Sequence, residues 1–419
     1  SAFSGGADEE AFSRVVLADW PAEAGPVPDG LEALTSLLDK SLLRQELGTG
    51  GSPRFRMLET IREYAAERLA EAEPEPRTPL RHAEYYLALA EAAAAGVMGD
   101  QQRASLDALE REHDNLRAAM AFAIGENLPH MAMRLLTAMW RFWQMRGYLS
   151  EGRTIADRVL ALADGSVDRE LQLRALDAAG GIAYWQGDFP AARALYNEQG
   201  RVARELGDAR ADAEATYNAS MTFALETDQE EATRLALEAL EKYRALGDRR
   251  GIGLAQWAYL NSLAFREEVA DGVRLAAETV DIFREVDDRF MLAWALYTQG
   301  LILTQARRMD EARDALARSL EIFRETHDIS GYAIILDGYA AIEWVAGNRD
   351  EAMRIAGAAS AIADVSGVGL AERNRAYAQF FPAELLREAP LAEAYAEGQK
   401  LSVEGALALV TGAAPPVEG

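Results

Sequence analysis

The chain has 419 residues, room for two or three domains. Its 43 basic and 68 acidic side chains leave a formal charge of −25, which speaks against a general nucleic-acid binder and against a polybasic membrane-surface protein. At 49% hydrophobic residues it is no disordered acidic tail, and without cysteine it holds no disulfide, thiolate nucleophile or cysteine metal site.

The N-terminus, SAFSGGADEE, carries neither a basic nor an apolar leader region, and no apolar run approaches the length of a membrane span. A cytoplasmic setting is expected, without membrane contact. The opening at Ser1 rather than Met reads as the interior of a longer protein. Asp8 is placed to cap a helix running through Leu17, and Pro28-Asp29 opens a second. Two strand-like runs follow, Leu42–Leu47 and Pro53–Leu58, joined by the hairpin signal Gly48-Thr-Gly-Gly-Ser52. Thr60-Ile-Arg-Glu63 reads as a capping box opening a helix to about Ala72. Helix, helix, wing, helix gives a winged-helix-like α+β domain over residues 1–75. A Pro/Glu linker (71–79) leads into connecting helices over 76–125.

From 126 to 366 the chain repeats. Leu206-Gly207-Asp208, Leu246-Gly247-Asp248, Val286-Asp287-Asp288 and Thr326-His327-Asp328 recur at steps of 40 residues. A second marker runs through Gly147, Gly187, Thr227, Glu267, Arg307 and Gly347. Five residues after each stands a small one: Gly152, Ala192, Ala232, Gly272, Ala312, Ala352. Each unit reads as two helices with a short polar turn; Leu235, Ala239, Leu240 and Tyr243 form one apolar stripe. Such a pair cannot bury its apolar face alone, so neighbours must stack into an α-α superhelix, a tetratricopeptide-like solenoid. The unit with Leu260, Glu267 and Gly272 departs most from the pattern. Residues 367–419 read as capping helices and a tail.

Motifs for chemistry are sparse. The histidines (His82, His113, His130, His327) show no metal-ligand spacing, and paired carboxylates such as Glu230-Glu231 read as solvated helix starts. No catalytic residue, metal or cofactor is assigned. Residues 1–72 hold seven Lys/Arg against thirteen Asp/Glu, so contact with a DNA backbone is disfavoured.

Three stretches resemble a bacterial family of STAND-type signal-transduction ATPases and transcriptional regulators (AfsR/LuxR/MalT-like). They are Pro53-Arg-Phe-Arg-Met-Leu-Glu-Thr-Ile-Arg-Glu-Tyr64, Leu109-Glu-Arg-Glu-His-Asp-Asn-Leu-Arg-Ala-Ala119, and Trp140-Arg-Phe-Trp143 with Gly147-Tyr-Leu-Ser-Glu-Gly-Arg153. Ala394-Tyr-Ala-Glu-Gly-Gln-Lys-Leu-Ser402 is similar to the family's closing helix. The resemblance implies a nucleotide-binding core upstream, then the winged helix, then a tetratricopeptide-like sensor. The phosphate-binding signature Gly-x-x-x-x-Gly-Lys-Ser/Thr does not occur in this chain, and Lys40-Ser41 follows Thr-Ser-Leu-Leu-Asp. ATP hydrolysis is therefore not assigned to it.

Under the same resemblance the first helix of each pair lines the concave groove. That places Asp177, Tyr217, Trp257, Tyr297 and Asp337 there, with Arg134, Arg141, Arg174, Tyr184, Asn261, Trp294 and Trp344 nearby. Such an aromatic ladder would bind a protein, a peptide or a small effector; alternatively the rings fill helix–helix contacts. The expected function is a regulatory sensor module of a transcriptional regulator. A DNA reader acting through the wing, a passive scaffold and a cavity enzyme are the other classes.

Overall fold

The structure, a computed structural model, describes residues 1–18, 20, 25–47, 53–73, 75–98, 101–163, 167–224, 228–263, 269–326, 329–366 and 387–411. α1 (Glu9–Val16) starts at Asp8, whose carboxylate accepts from the Ala11 amide at 2.8 Å. α2 (Gly30–Asp39) starts at Asp29, which accepts from Leu31 and Glu32 at 3.0 and 3.2 Å. Both caps answer amides that a helix start leaves unpaired. β1 (Leu43–Leu47) and β2 (Pro53–Met57) pair antiparallel, Leu43 opposite Met57 and Leu47 opposite Pro53. Ala7 adds a rung on the outer side of β2 through reciprocal bonds to Phe55 of 2.9 and 2.8 Å. The hairpin tip, Gly48–Ser52, lies outside the described residues.

One local expectation is corrected. α3 (Glu59–Ala72) begins before Thr60, and Leu58, its N-cap, gives no side-chain hydrogen bond. The Thr60/Glu63 box therefore falls inside the helix. Glu59 supplies the first-turn charge and pairs with Arg62 instead.

α4 (Arg77–Ala94), α5 (Gln102–Arg111) and α6 (His113–Gly125) lead into six helix pairs. These are α7 (Pro129–Arg146) with α8 (Leu149–Ala161), α9 (Arg169–Trp185) with α10 (Phe189–Leu206), and α11 (Ala209–Ala224) with α12 (Gln229–Leu246). Then come α13 (Arg249–Leu263) with α14 (Val269–Glu285), α15 (Arg289–Gln305) with α16 (Met309–Thr326), and α17 (Ile329–Ala346) with α18 (Arg349–Ser366). First helices open at 129, 169, 209, 249, 289 and 329, so the 40-residue period is kept without slippage. α19 (Ala389–Gly398) and α20 (Val403–Thr411) close the described chain.

The punctuation has a backbone cause. Gly207 and Gly247 end α10 and α12 at φ of 72° and 66°, the left-handed conformation that releases a helix into a turn. Asp287 and Arg307 take the same conformation, at 55° and 58°, without glycine's freedom. The aspartates that follow cap the next helix: Asp208, Asp248 and Asp288 accept from Ala211, Gly251 and Met291 at 2.9, 3.0 and 3.0 Å. Thr227, Glu267, His327 and Asp328 lie outside the described residues. The six small residues from Gly152 to Ala352 are all buried, where a larger side chain would hold paired helices apart. In the divergent unit, α13 and α14 still pair; Leu260 packs with Ala276 and with Ile302 of the next unit. No helix among the described residues is long and apolar enough to cross a membrane.

The superhelix curls until late helices touch early ones. α16 reaches α5, and α17 reaches α7. The inner face is therefore mostly filled by aromatic side chains: Trp185 meets Trp294 at 5.2 Å between ring centroids, and Arg141 lies 5.1 Å from the Phe290 ring.

Candidate ligand cavity on the inner face of the solenoid

Successive first helices contribute one stripe each. On α13 it is Arg250, Leu254 and Trp257, spaced i, i+4, i+7. α11 gives Glu214, Tyr217, Asn218 and Met221, and α9 gives Asp177, Gly181, Tyr184 and Trp185. With Trp140 and Arg141 of α7, Tyr196 of α10, and Phe290, Met291 and Trp294 of α15, they enclose a cavity of about 100 Å³. That is small beside a drug-sized pocket and suits one residue-sized group.

Its walls are aromatic and its floor is charged. The Arg141 guanidinium sits 3.7 Å from the Trp140 ring centroid and donates to Gln144 Oε1 at 3.3 Å. No carboxylate among the described residues forms an ion pair with it. Burial pulls its pKa down to about 10, against the opposing field of Asp177. Asp177 Oδ1 accepts from Asn218 Nδ2 at 2.9 Å and Gln199 Nε2 at 3.3 Å. Burial raises its pKa in spite of Arg141. Glu214 has no hydrogen bond or ion pair among the described residues; burial, then the Asp177 charge, push it up to about 7. Arg250 Nε meets Asp288 Oδ2 at 2.7 Å. Burial works to lower the Arg250 pKa, but Asp288 outweighs it and the net shift is upward. Trp257 Nε1 donates to Thr298 Oγ1 at 2.8 Å, whereas the buried Trp294 Nε1 and Gln199 Oε1 have no hydrogen-bond partner.

Of the sequence-derived candidates, Arg141, Asp177, Tyr184, Tyr217, Trp257 and Trp294 come together here. Tyr297 lies beyond the cavity wall, its ring 6.1 Å from that of Trp294. Asn261 donates to the Trp257 carbonyl at 2.8 Å and does not reach the cavity. Asp337, on α17, is half-buried outside it. Trp344 sits under Arg349 at 5.1 Å and packs where Met353 meets α19. Arg174 is exposed, and Arg134 pairs with Glu91 of α4 at 2.7 Å. Sequence reasoning passed over Glu214, Arg250, Asn218 and Phe290. The period itself could have found Glu214, and ties two of the others together. Stepping back 40 residues from Trp294 gives Leu254 and then Glu214, and from Phe290 it gives Arg250.

A second polar cluster joins the winged-helix domain to the connecting helices that lead into the solenoid. Arg54 of β2 grips Glu112 through two parallel bonds of 2.6 and 2.8 Å and also donates to the Gly5 carbonyl at 2.7 Å. Asn115 accepts from the Ser4 amide at 3.0 Å and donates to Gly6 O and Glu112 Oε2, each at 2.9 Å. The next residues of the same motif face the first pair: His113 meets Glu151 at 3.1 Å, and Arg117 pairs with that carboxylate too. Although burial opposes them, these two partners hold Glu151 down to about 2.

Comparison with known proteins agrees at the N-terminus. A family model described as a winged helix-turn-helix domain matches residues 1–70. This end of the chain is a winged helix-turn-helix domain. Proteins of Mycobacterium tuberculosis (strain H37Rv) and Mycobacterium bovis, described as candidate HTH-type transcriptional regulators, are 32% identical over 185 residues. The match covers 42% of this chain and 21% of each relative, so the chain spans about a fifth of their length. Among solved structures, a Rap protein complexed with Competence and Sporulation Factor aligns at a TM-score of 0.48 and 15% identity, covering 75% of this chain and 86% of that one. NprR with its cognate peptide NprX gives 0.44 and 16%, covering 73% and 84%. A STAND protein with a tetratricopeptide repeat sensor from Pyrococcus horikoshii gives 0.39 and 16%, covering 88% and 61%.

Proposed function

We propose that this chain is the sensing part of a bacterial transcriptional regulator of the STAND type, taking a peptide or small effector into the inner cavity. One observation carries this reading: two half-buried charged groups there, Arg141 and Glu214, form no ion pair among the described residues. A charge kept out of water without a partner costs free energy, so its retention points to a ligand that supplies the partner. Because the cavity walls come from five of the six helix pairs' first helices or their partners, a ligand seated there favours one curvature of the solenoid over another. The Arg54–Glu112–Asn115 cluster would carry that difference to the winged-helix domain, and from there to an upstream nucleotide-binding core. The chain itself performs no catalysis in this scheme.

The test is native mass spectrometry after incubation with the small-molecule fraction of a host lysate. A discrete added mass on the parent chain, lost from folded Arg141→Ala, supports the sensor reading. No added mass on either protein sinks it. The winged helix-turn-helix match also raises direct DNA binding. Against it, Arg14, Arg54, Arg56, Arg62 and Arg68 each face a carboxylate. A low-salt gel shift with the whole chain would decide that point; retardation favours the DNA reader.

A further inference from the structure

We infer that the cavity is a zwitterion site, taking a group that brings a carboxylate to Arg141 and an ammonium to Glu214 and Asp177. The inference rests on the sensor reading above and narrows its ligand. Donors without a carboxylate and an acceptor without a donor share one small space. The donors are the Arg141 guanidinium over Trp140, whose hydrogen bond goes to the neutral Gln144, and the buried indole N–H of Trp294; the acceptor is the Glu214 carboxylate. A purely anionic ligand answers the first set alone, and a purely cationic one the second.

Charge decides between these. Arg250 is spoken for by Asp288 at 2.7 Å. What remains is one guanidinium facing two carboxyl groups, so positive charge runs short once both are ionised. A simple carboxylate would deepen that deficit inside a low-dielectric space, whereas a zwitterion places its positive end where the deficit lies. The rings of Trp257 and Trp294 add faces on which an ammonium is stabilised. The cavity of about 100 Å³ limits the occupant to a single residue. Two sources share this chemistry: a free amino acid, or a peptide end that carries both charges, such as a C-terminal lysine.

Tryptophans of the cavity wall provide the readout. The whole chain is titrated, following tryptophan emission and calorimetric heat, with each common free amino acid, with acetate, with butylamine, and with Gly-Gly-Gly-Lys as free acid and as amide. At least one zwitterion should saturate while acetate and butylamine at equal concentration do not. Arg141→Gln and Glu214→Gln, folded by circular dichroism, should each weaken it about tenfold or more, the loss expected for one charge-assisted contact. Saturation by free amino acids identifies a metabolite sensor; saturation by the tetrapeptide acid alone identifies a peptide end. If acetate binds as well as any zwitterion and Glu214→Gln changes nothing, the site is an anion site and the inference falls. It falls equally if no zwitterion binds in either form. The sensor reading survives those outcomes if the lysate experiment still yields a retained mass.

Discussion

Two buried charge clusters in this molecule are built on opposite plans. At the junction with the winged helix, Arg54, Glu112 and Asn115 answer one another and the backbone of Ser4–Gly6. On the inner face of the solenoid, Arg141 and Glu214 are half-buried yet form no ion pair among the described residues. A satisfied cluster fixes an arrangement; an unsatisfied one waits for something. The contrast separates the part of the polar interior that holds the fold from the part we propose for binding.

The comparison can be broken most sharply at the junction. Arg54→Ala strands the Glu112 carboxylate, whose side chain is only 11% exposed, and should cost about 3 kcal/mol in urea unfolding of the whole chain. A loss below about 1 kcal/mol would make this an ordinary surface pair. Next comes a contact that serves as a control for packing alone. α18 and α19 cross backbone to backbone, and a methyl on Gly398 would lie 1.9 Å from the Arg354 carbonyl oxygen. Gly398→Ala should cost about 2 kcal/mol and speed hydrogen exchange across residues 389–398, leaving the cavity's response to ligands intact.

At the cavity the sign reverses. The Glu214 carboxyl stands near 7 when folded against 4.5 unfolded, so its contribution to stability is complete below about pH 4.5 and is lost as pH rises through 7. Glu214→Gln should therefore stabilise the unliganded chain above pH 7, by on the order of 1 kcal/mol after allowance for partial exposure, and flatten the profile between those limits. Thermal melts across that range check it; destabilisation at pH 8 would show that Glu214 has a structural partner. Smallest is Trp294→Phe, which removes an unpartnered N–H and some ring area. It should change stability by less than about 1 kcal/mol, while altering any ligand titration that depends on that donor.

Much of the architecture was legible in the chain because its signals are local. The period is written in turn residues such as Gly207-Asp208, whose backbone and capping roles need no tertiary context. Asp8 and Asp29 announced their helices for the same reason. The Thr60 box misled because Glu59 was equally able to serve the first turn, and propensity alone does not choose between neighbouring starts. The ladder Asp177, Tyr217, Trp257 marked the face of three helices that lines the cavity. It could not show where the superhelix closes. That depends on how many units stack before α17 reaches α7, and so Tyr297, Asp337 and Trp344 fall beyond the cavity. Glu214 and Arg250 escaped because a charged residue on a helix of a −25 chain looks solvated until the curl brings a distant wall over it.

That curl also sets when the cavity comes into being. Trp140 belongs to the first helix pair and Trp294 to the fifth, and neither encloses anything until the intervening units have stacked. A chain emerging from the ribosome can consolidate its early pairs as they appear, but the walls meet only once α15 is in place. Formation of the cavity is thus a late event in the life of each molecule. A chain cut short within the repeats would keep helical content and a winged domain, yet present Arg141 and Glu214 to open water, with no far wall over them.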